Sequence, residues 1–134
     1  MVTQIFINFP IKDLKKSMAF YEAIGFTNNP QFTDDTAACM VLSDTIFVML
    51  LTHDKFKQFT SKKIIDAKQT VGVINCLSVN SIDEVNTLVD NALNAGGNEY
   101  NEPKDMGFMQ QRCFEDLDGH NWEIIYMDMS KFPQ

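Results

Sequence analysis

Histidine is nearly absent: the 134 residues contain only His53 and His120. A catalytic divalent metal is held by several His, Asp or Glu side chains converging on one point, so a metal site here would have to be built almost without imidazole. Cysteine is scarce too. Cys39, Cys76 and Cys113 are odd in number, widely spaced and set in apolar runs, which points to buried thiols in a reducing compartment rather than disulfides or a zinc cluster. Basic residues are outnumbered, eleven against eighteen acidic, and the net charge of −7 leaves no positive footprint for nucleic acid or an anionic membrane. No apolar run is long enough to cross a bilayer, and the N-terminus carries no charged-then-apolar leader, so a cytoplasmic location is expected. What the chain does have is 45% hydrophobic residues, enough for one ordinary domain or two small halves.

The most informative stretch runs from Asp116 to Tyr126. Asp118-Gly119 is a tight-turn signal between two aromatic-rich runs, which predicts a β-hairpin with a two-residue connection. Alternation on the returning strand sends Trp122, Ile124 and Tyr126 to one face and Glu123 and Ile125 to the other. Glu123 is then either a solvated sheet-face residue, the commoner fate of a carboxylate, or one set among apolar neighbours.

Earlier in the chain, Gln4 to Ile11 reads as a strand with Ile7, Phe9 and Ile11 on one face and Phe6, Asn8 and Pro10 on the other. Asp13 caps a helix whose stripe is Leu14, Met18 and Tyr21, and Gly25 ends it. Extended pieces follow at 26–28, 36–42 and 45–51, then a charged stretch, 53–70, with one short helix. It reads as a linker with a solvated lysine face. The segment 71–79 is again a strand. Ser81 and Glu84 form a capping box for a helix lined by Ile82, Val85, Leu88, Val89, Ala92 and Leu93 and closed by Gly96-Gly97.

Both halves, about 1–52 and 71–134, thus read as strand, capped helix, glycine, then three strands. Asp13 matches Ser81, Gly25 matches Gly96, and the run Ile46 to Leu50 is aligned with Asn121 to Ile125. The expectation is an α+β domain of two βαβββ units whose sheets form one curved surface around a concave pocket.

This βαβββ repeat, the run Asp13-Leu14-Lys15-Lys16-Ser17-Met18-Ala19-Phe20-Tyr21 before Gly25-Phe26, and the closing Asp116-x-Asp118-Gly119-His120-x-Trp122-Glu123 together resemble the vicinal oxygen chelate superfamily. That group includes glyoxalase I, bleomycin-resistance proteins and extradiol dioxygenases. The resemblance implies ligand slots for a metal on the first and last strands of each half, here Phe6, Ile74, Val48 and Glu123. Three are apolar, and a one-residue shift brings in no carboxylate or imidazole. His120 reads as a turn residue. No metal and no cofactor are therefore expected.

What remains is a mostly apolar hollow suited to a small molecule. Its expected ligand-binding residues are Phe6, Asn8, Val48, Ile74 and Cys76, with Glu123 doubling as the candidate catalytic group. Arg112 either contributes a donor or pairs with a nearby acid such as Glu115 or Asp116. The methionines Met106 and Met109 are a candidate lid. Cys76 and Cys113 read as inert core thiols. The reading is a small-molecule binder stripped of its metal ligands. The alternative is a lyase or dioxygenase-like enzyme with an atypical metal, or a metal-free isomerase with Glu123 as general base. The resemblance also implies a homodimer.

Overall fold

In the computed structural model, residues 1–133 are described. They divide into two compact units, Met1–Asp66 and Ala67–Gln134. The first contains Ile5–Ile11 (β1), Leu14–Ala23 (α1), Thr27–Asn29 (β2), Ala37–Val41 (β3), Ile46–Thr52 (β4) and the short helix His53–Phe56 (α2). The second contains Ile74–Ser78 (β5), Ile82–Asn94 (α3), Lys104–Asp105 (β6), Met109–Glu115 (β7) and Asn121–Met127 (β8). Each unit builds its own four-stranded mixed sheet, ordered β1-β4-β3-β2 and β5-β8-β7-β6. In both, the opening strand runs parallel to the closing one, and the remaining pairs are antiparallel. The expected α+β class and the βαβββ order of each half are what the chain adopts.

Local chemistry sets the helix ends. Asp13 accepts from the Lys16 amide at 3.1 Å, and Ser81 accepts from the Glu84 amide at 3.1 Å. Glu84 reaches back one residue further than a reciprocal box requires, taking the Asn80 amide at 2.7 Å. Gly25 and Gly96 close the two helices, both at φ +107°, a conformation costly for any residue with a Cβ. The buried stripe of α1 is Ser17, Phe20 and Tyr21, rotated from the Leu14–Met18–Tyr21 line read from spacing. Leu14 and Met18 are only half-buried.

α1 packs on β3 and β4, and α3 on β7 and β8. The helix-facing side of each sheet is the core: Phe9, Ile11, Met40, Val48 and Leu50 in the first unit, and Phe114, Trp122 and Ile124 with Val85, Val89 and Ala92 in the second. Phe114 and Trp122 stack with ring centroids 6.3 Å apart.

The β7–β8 connection is wider than the two-residue turn expected. It spans 116–120, and Asp116 organises it by accepting from the amides of Asp118 at 3.0 Å and His120 at 2.8 Å. Gly119, at φ +95°, lies against the backbone of Ala67 and Lys68, where a Cβ would come within 2.6 Å of the Lys68 nitrogen. The motif that reads as the centre of the sequence is therefore a structural clasp: Gly119 admits the 67–68 backbone, and Asp116 and His120 are buried beneath it. No helix among the described residues is long and apolar enough to cross a membrane.

Candidate functional site

Strand pairing decides which side chains share a face. Cys76 pairs with Glu123, and Glu123 pairs with Cys113, so these three form one row across β5, β8 and β7. Arg112, one residue away, turns to the other side and bonds to α3. The row therefore lies on the face turned away from that helix. Ile74, Ser78, Asn121, Ile125 and Gln111 share this face by the same registers. Ile74 is 49% exposed, Cys76 is exposed, and Glu123 is half-buried.

Glu123 is held by Gln111, whose Nε2 donates to Glu123 Oε2 at 2.5 Å. Beside it, Asn98 bridges to Glu115 and β6 rejoins the ladder at Gln111, so residues 99–103 leave the edge of the sheet. From this stretch the Asn101 amide donates to Cys113 Sγ at 3.3 Å, and the Cys113 thiol donates to the Asn101 carbonyl at 3.6 Å. Tyr100 donates its phenol to the Trp122 carbonyl at 3.2 Å, next to Glu123 in sequence. Burial raises the Tyr100 phenol above its ordinary pKa, and negative charge on Cys113 and Glu123 adds to the effect. The thiols shift the same way. Burial pushes up Cys113, with the charges of Glu99 and Glu123 contributing and hydrogen bonds to the backbone at Asn101 and Tyr100 opposing. Shelter of the sulfur pushes up Cys76, with Glu123 contributing, although that residue as a whole is exposed. The result is a carboxylate flanked by a phenol and two thiols that hold their protons.

Of the residues expected to bind a ligand, Ile74, Cys76 and Glu123 are brought together on this face. Phe6 and Asn8 share the corresponding face of the first unit, where Phe6, 50% exposed, stacks on Phe47 at 4.7 Å. Val48 does not belong with them. It is fully buried on the helix side, because the apolar run Ile46–Leu51 offers no alternation from which to fix its register. Asn8 and Cys76 stand at the same remove from the caps Asp13 and Ser81, and Asn8 pairs with Met49, so the counterpart of Glu123 is Met49. Arg112 is also on the helix side. It donates to Glu99 from Nε at 3.0 Å and from Nη2 at 2.9 Å, and to Asp90 from Nη1 at 2.9 Å, tying α3 to the stretch that carries Tyr100. Its partners are thus neither Glu115 nor Asp116. Cys76 is not a core thiol, since β5 is an edge strand and the residue faces away from α3. Met106 is exposed in the β6–β7 turn and Met109 half-buried at the start of β7.

Sequence reasoning missed Tyr100 and the Gln111–Glu123 contact. The alternation that separates Gln110 and Arg112 from Gln111 was the available signal for the second; nothing local marks the first.

With the register corrected, the slots implied for a metal hold Phe6, Ile74, Met49 and Glu123. Only Glu123 offers a donor, and among the described residues no group of three or more His, Cys, Asp or Glu is placed to hold a metal ion. This donor set does not fit a divalent metal.

None of the curated proteins matches the sequence. Solved structures do. A hypothetical protein from S. aureus is 29% identical, with 94% of this chain and 95% of that one covered and a TM-score of 0.78. A glyoxalase/bleomycin resistance protein/dioxygenase family enzyme from Burkholderia phytofirmans is 16% identical (91% and 96% covered, TM-score 0.75). The fosfomycin resistance protein FosX from Mesorhizobium loti is 11% identical (97% and 96% covered, TM-score 0.70), and at such identities the likeness is one of fold. The family model for the Glyoxalase/Bleomycin resistance protein/Dioxygenase superfamily matches residues 4–124, and the chain belongs to that superfamily.

Proposed function

We propose that this protein is a cytoplasmic small-molecule-binding member of its superfamily that works without a metal, and that it is a homodimer. The observation that carries the reading is the row Cys76–Glu123–Cys113: the scaffold's ligand slots hold apolar groups except for one carboxylate, which is fixed by an amide rather than shared with other anionic donors. A face with apolar area and a few directed polar atoms is the usual make-up of a small-molecule site. Exposed apolar side chains on β1 (Ile5, Phe6) and at the start of the second unit (Val71, Val73) support burial against another copy. Native mass spectrometry of tag-free protein tests the proposal. The expected spectrum is a dimer that retains or takes up a small organic molecule; near-stoichiometric divalent metal would overturn the metal-free reading.

A second reading has its own support. Glu123 Oε2 is anchored while Oε1 has no partner among the described residues, which suits a general base for proton abstraction from a carbon acid. Turnover of a carbonyl substrate abolished by Glu123→Gln, with no change under chelator, favours this isomerase-like role over binding alone.

A further inference from the structure

We infer that the face around Glu123 selects ligands carrying an organic ammonium next to an apolar body; the inference rests on the binding role proposed above. Gln111 engages one carboxylate oxygen, and the other has no hydrogen-bond or ion-pair partner among the described residues. Arg112, the cation of the neighbouring strand β7, is committed on the opposite side of the sheet to Glu99 and Asp90, and Lys104, which shares the face of Gln111 from β6, makes no ion pair among the described residues. A half-buried carboxylate without a cation gains most from a ligand that brings one, since a charge-assisted hydrogen bond there is stronger than a neutral one.

The neighbours decide the rest of the ligand. Across the sheet Glu123 faces Cys76 and Cys113, thiols held in their neutral form, and on the same face stand Ile74 and Ile125. Those groups offer contact to hydrocarbon and no negative charge; the next carboxylate on this face is Glu115, opposite Asn121, and no group of three or more donors for a metal ion is gathered among the described residues. An anionic ligand meets Glu123 with like charge, and the chain's net charge of −7 adds to the repulsion. A monocation with an aryl or alkyl body satisfies both parts of the face at once.

Three probes of one shape separate the contributions: benzylammonium, benzyl alcohol and benzoate, titrated into isotopically labelled full-length protein and followed by amide chemical shifts. Benzylammonium is expected to bind at least ten-fold more tightly than benzyl alcohol, with shifts at Cys76, Gln111 and Glu123, and benzoate is expected not to bind. Glu123→Gln, which keeps the shape and removes the charge, should bring benzylammonium down to the level of benzyl alcohol. Asp35→Asn, an exposed change of the same charge in the first unit, should leave the preference intact. The inference is overturned if benzylammonium and benzyl alcohol bind equally, if the preference survives Glu123→Gln, or if Asp35→Asn erases it. In these cases the binding role itself stands. If none of the probes moves an amide on this face, both readings fail.

Discussion

The two units place different chemistry on one backbone plan. On the face away from the helix, the first unit has the row Asn8–Met49–Cys39, with Ala37 and Leu51 alongside; the second has Cys76–Glu123–Cys113, with Gln111 and Ile125. On the helix side the first has Val48, Met40 and Ala38 where the second has Trp122, Phe114 and Arg112. The cysteine of the third strand is buried in both. What differs is the carboxylate–amide couple, present in one copy and replaced by Met49 and Ala37 in the other. The helix side carries the large buried side chains in both units, while the other side, although it buries Ala37, Cys39, Leu51 and Cys113, is where the polar chemistry of the two units differs.

If that division holds, the helix sides of both units are equally intolerant of truncation. Phe20→Ala and Trp122→Ala each remove a fully packed aromatic, and each should cost about 3–5 kcal/mol in urea unfolding followed by circular dichroism. A loss below about 1 kcal/mol at either position would show that its helix is not seated on a formed core.

Smaller is the cost of making the second unit copy the first at its cation. Arg112→Ala reproduces Ala38 but strands Glu99 and Asp90. With Asp90 largely exposed and Glu99 partly so, screening reduces the expected loss to about 1–2 kcal/mol. Because Glu99 precedes Tyr100, the same variant should shift the amides of Asn101 and Cys113. Unchanged resonances there would mean that the arginine holds only α3. Smaller still is the double exchange Glu123→Met with Gln111→Ala. Replacing both members of a hydrogen-bonded couple by apolar groups is close to neutral, so stability should stay within about 1 kcal/mol while the preference for benzylammonium disappears.

The same division explains what could be read in advance. Caps and closing glycines act over three or four residues, and Asp13, Ser81, Gly25 and Gly96 all lie where spacing puts them. The alternation Trp122–Glu123–Ile124 is unambiguous because one side is polar, and it places Glu123 correctly away from the core. The run from Ile46 to Leu51 has no polar member, so its faces are set by pairing with β1 and β3, which local pattern does not encode. Arg112 finds Asp90 and Glu99 through the packing of α3, and Tyr100 reaches the site from a stretch that leaves the ladder. Both depend on contacts between residues far apart in sequence. The Asp116–His120 motif reads as chemistry because it is polar and dense, yet the Asp116 carboxylate accepts from the amides of its own loop.

The smallest expected effect concerns alkaline pH, where the second unit has more to lose. Tyr100, Cys76 and Cys113 all have raised pKa values in the folded state, whereas the first unit contributes only Cys39 among such shifted acids. A group whose folded pKa is raised stabilises fully below its unfolded value, and that stability is lost as pH climbs from the unfolded value towards the folded one. For the thiols the loss begins near 9.0 and for the phenol near 10.0. Tyr100→Phe keeps the ring and removes the titrating hydroxyl. It should leave the thiol-driven decline in place and flatten the further decline above pH 10, a difference of at most about 1.4 kcal/mol per pH unit. Urea midpoints at pH 8, 9.5 and 10.5 measure it. Parallel curves for wild type and variant would mean that the phenol ionises as freely in the fold as in the unfolded chain, and that Tyr100 does not close over Cys113 as its hydrogen bond to the Trp122 carbonyl requires.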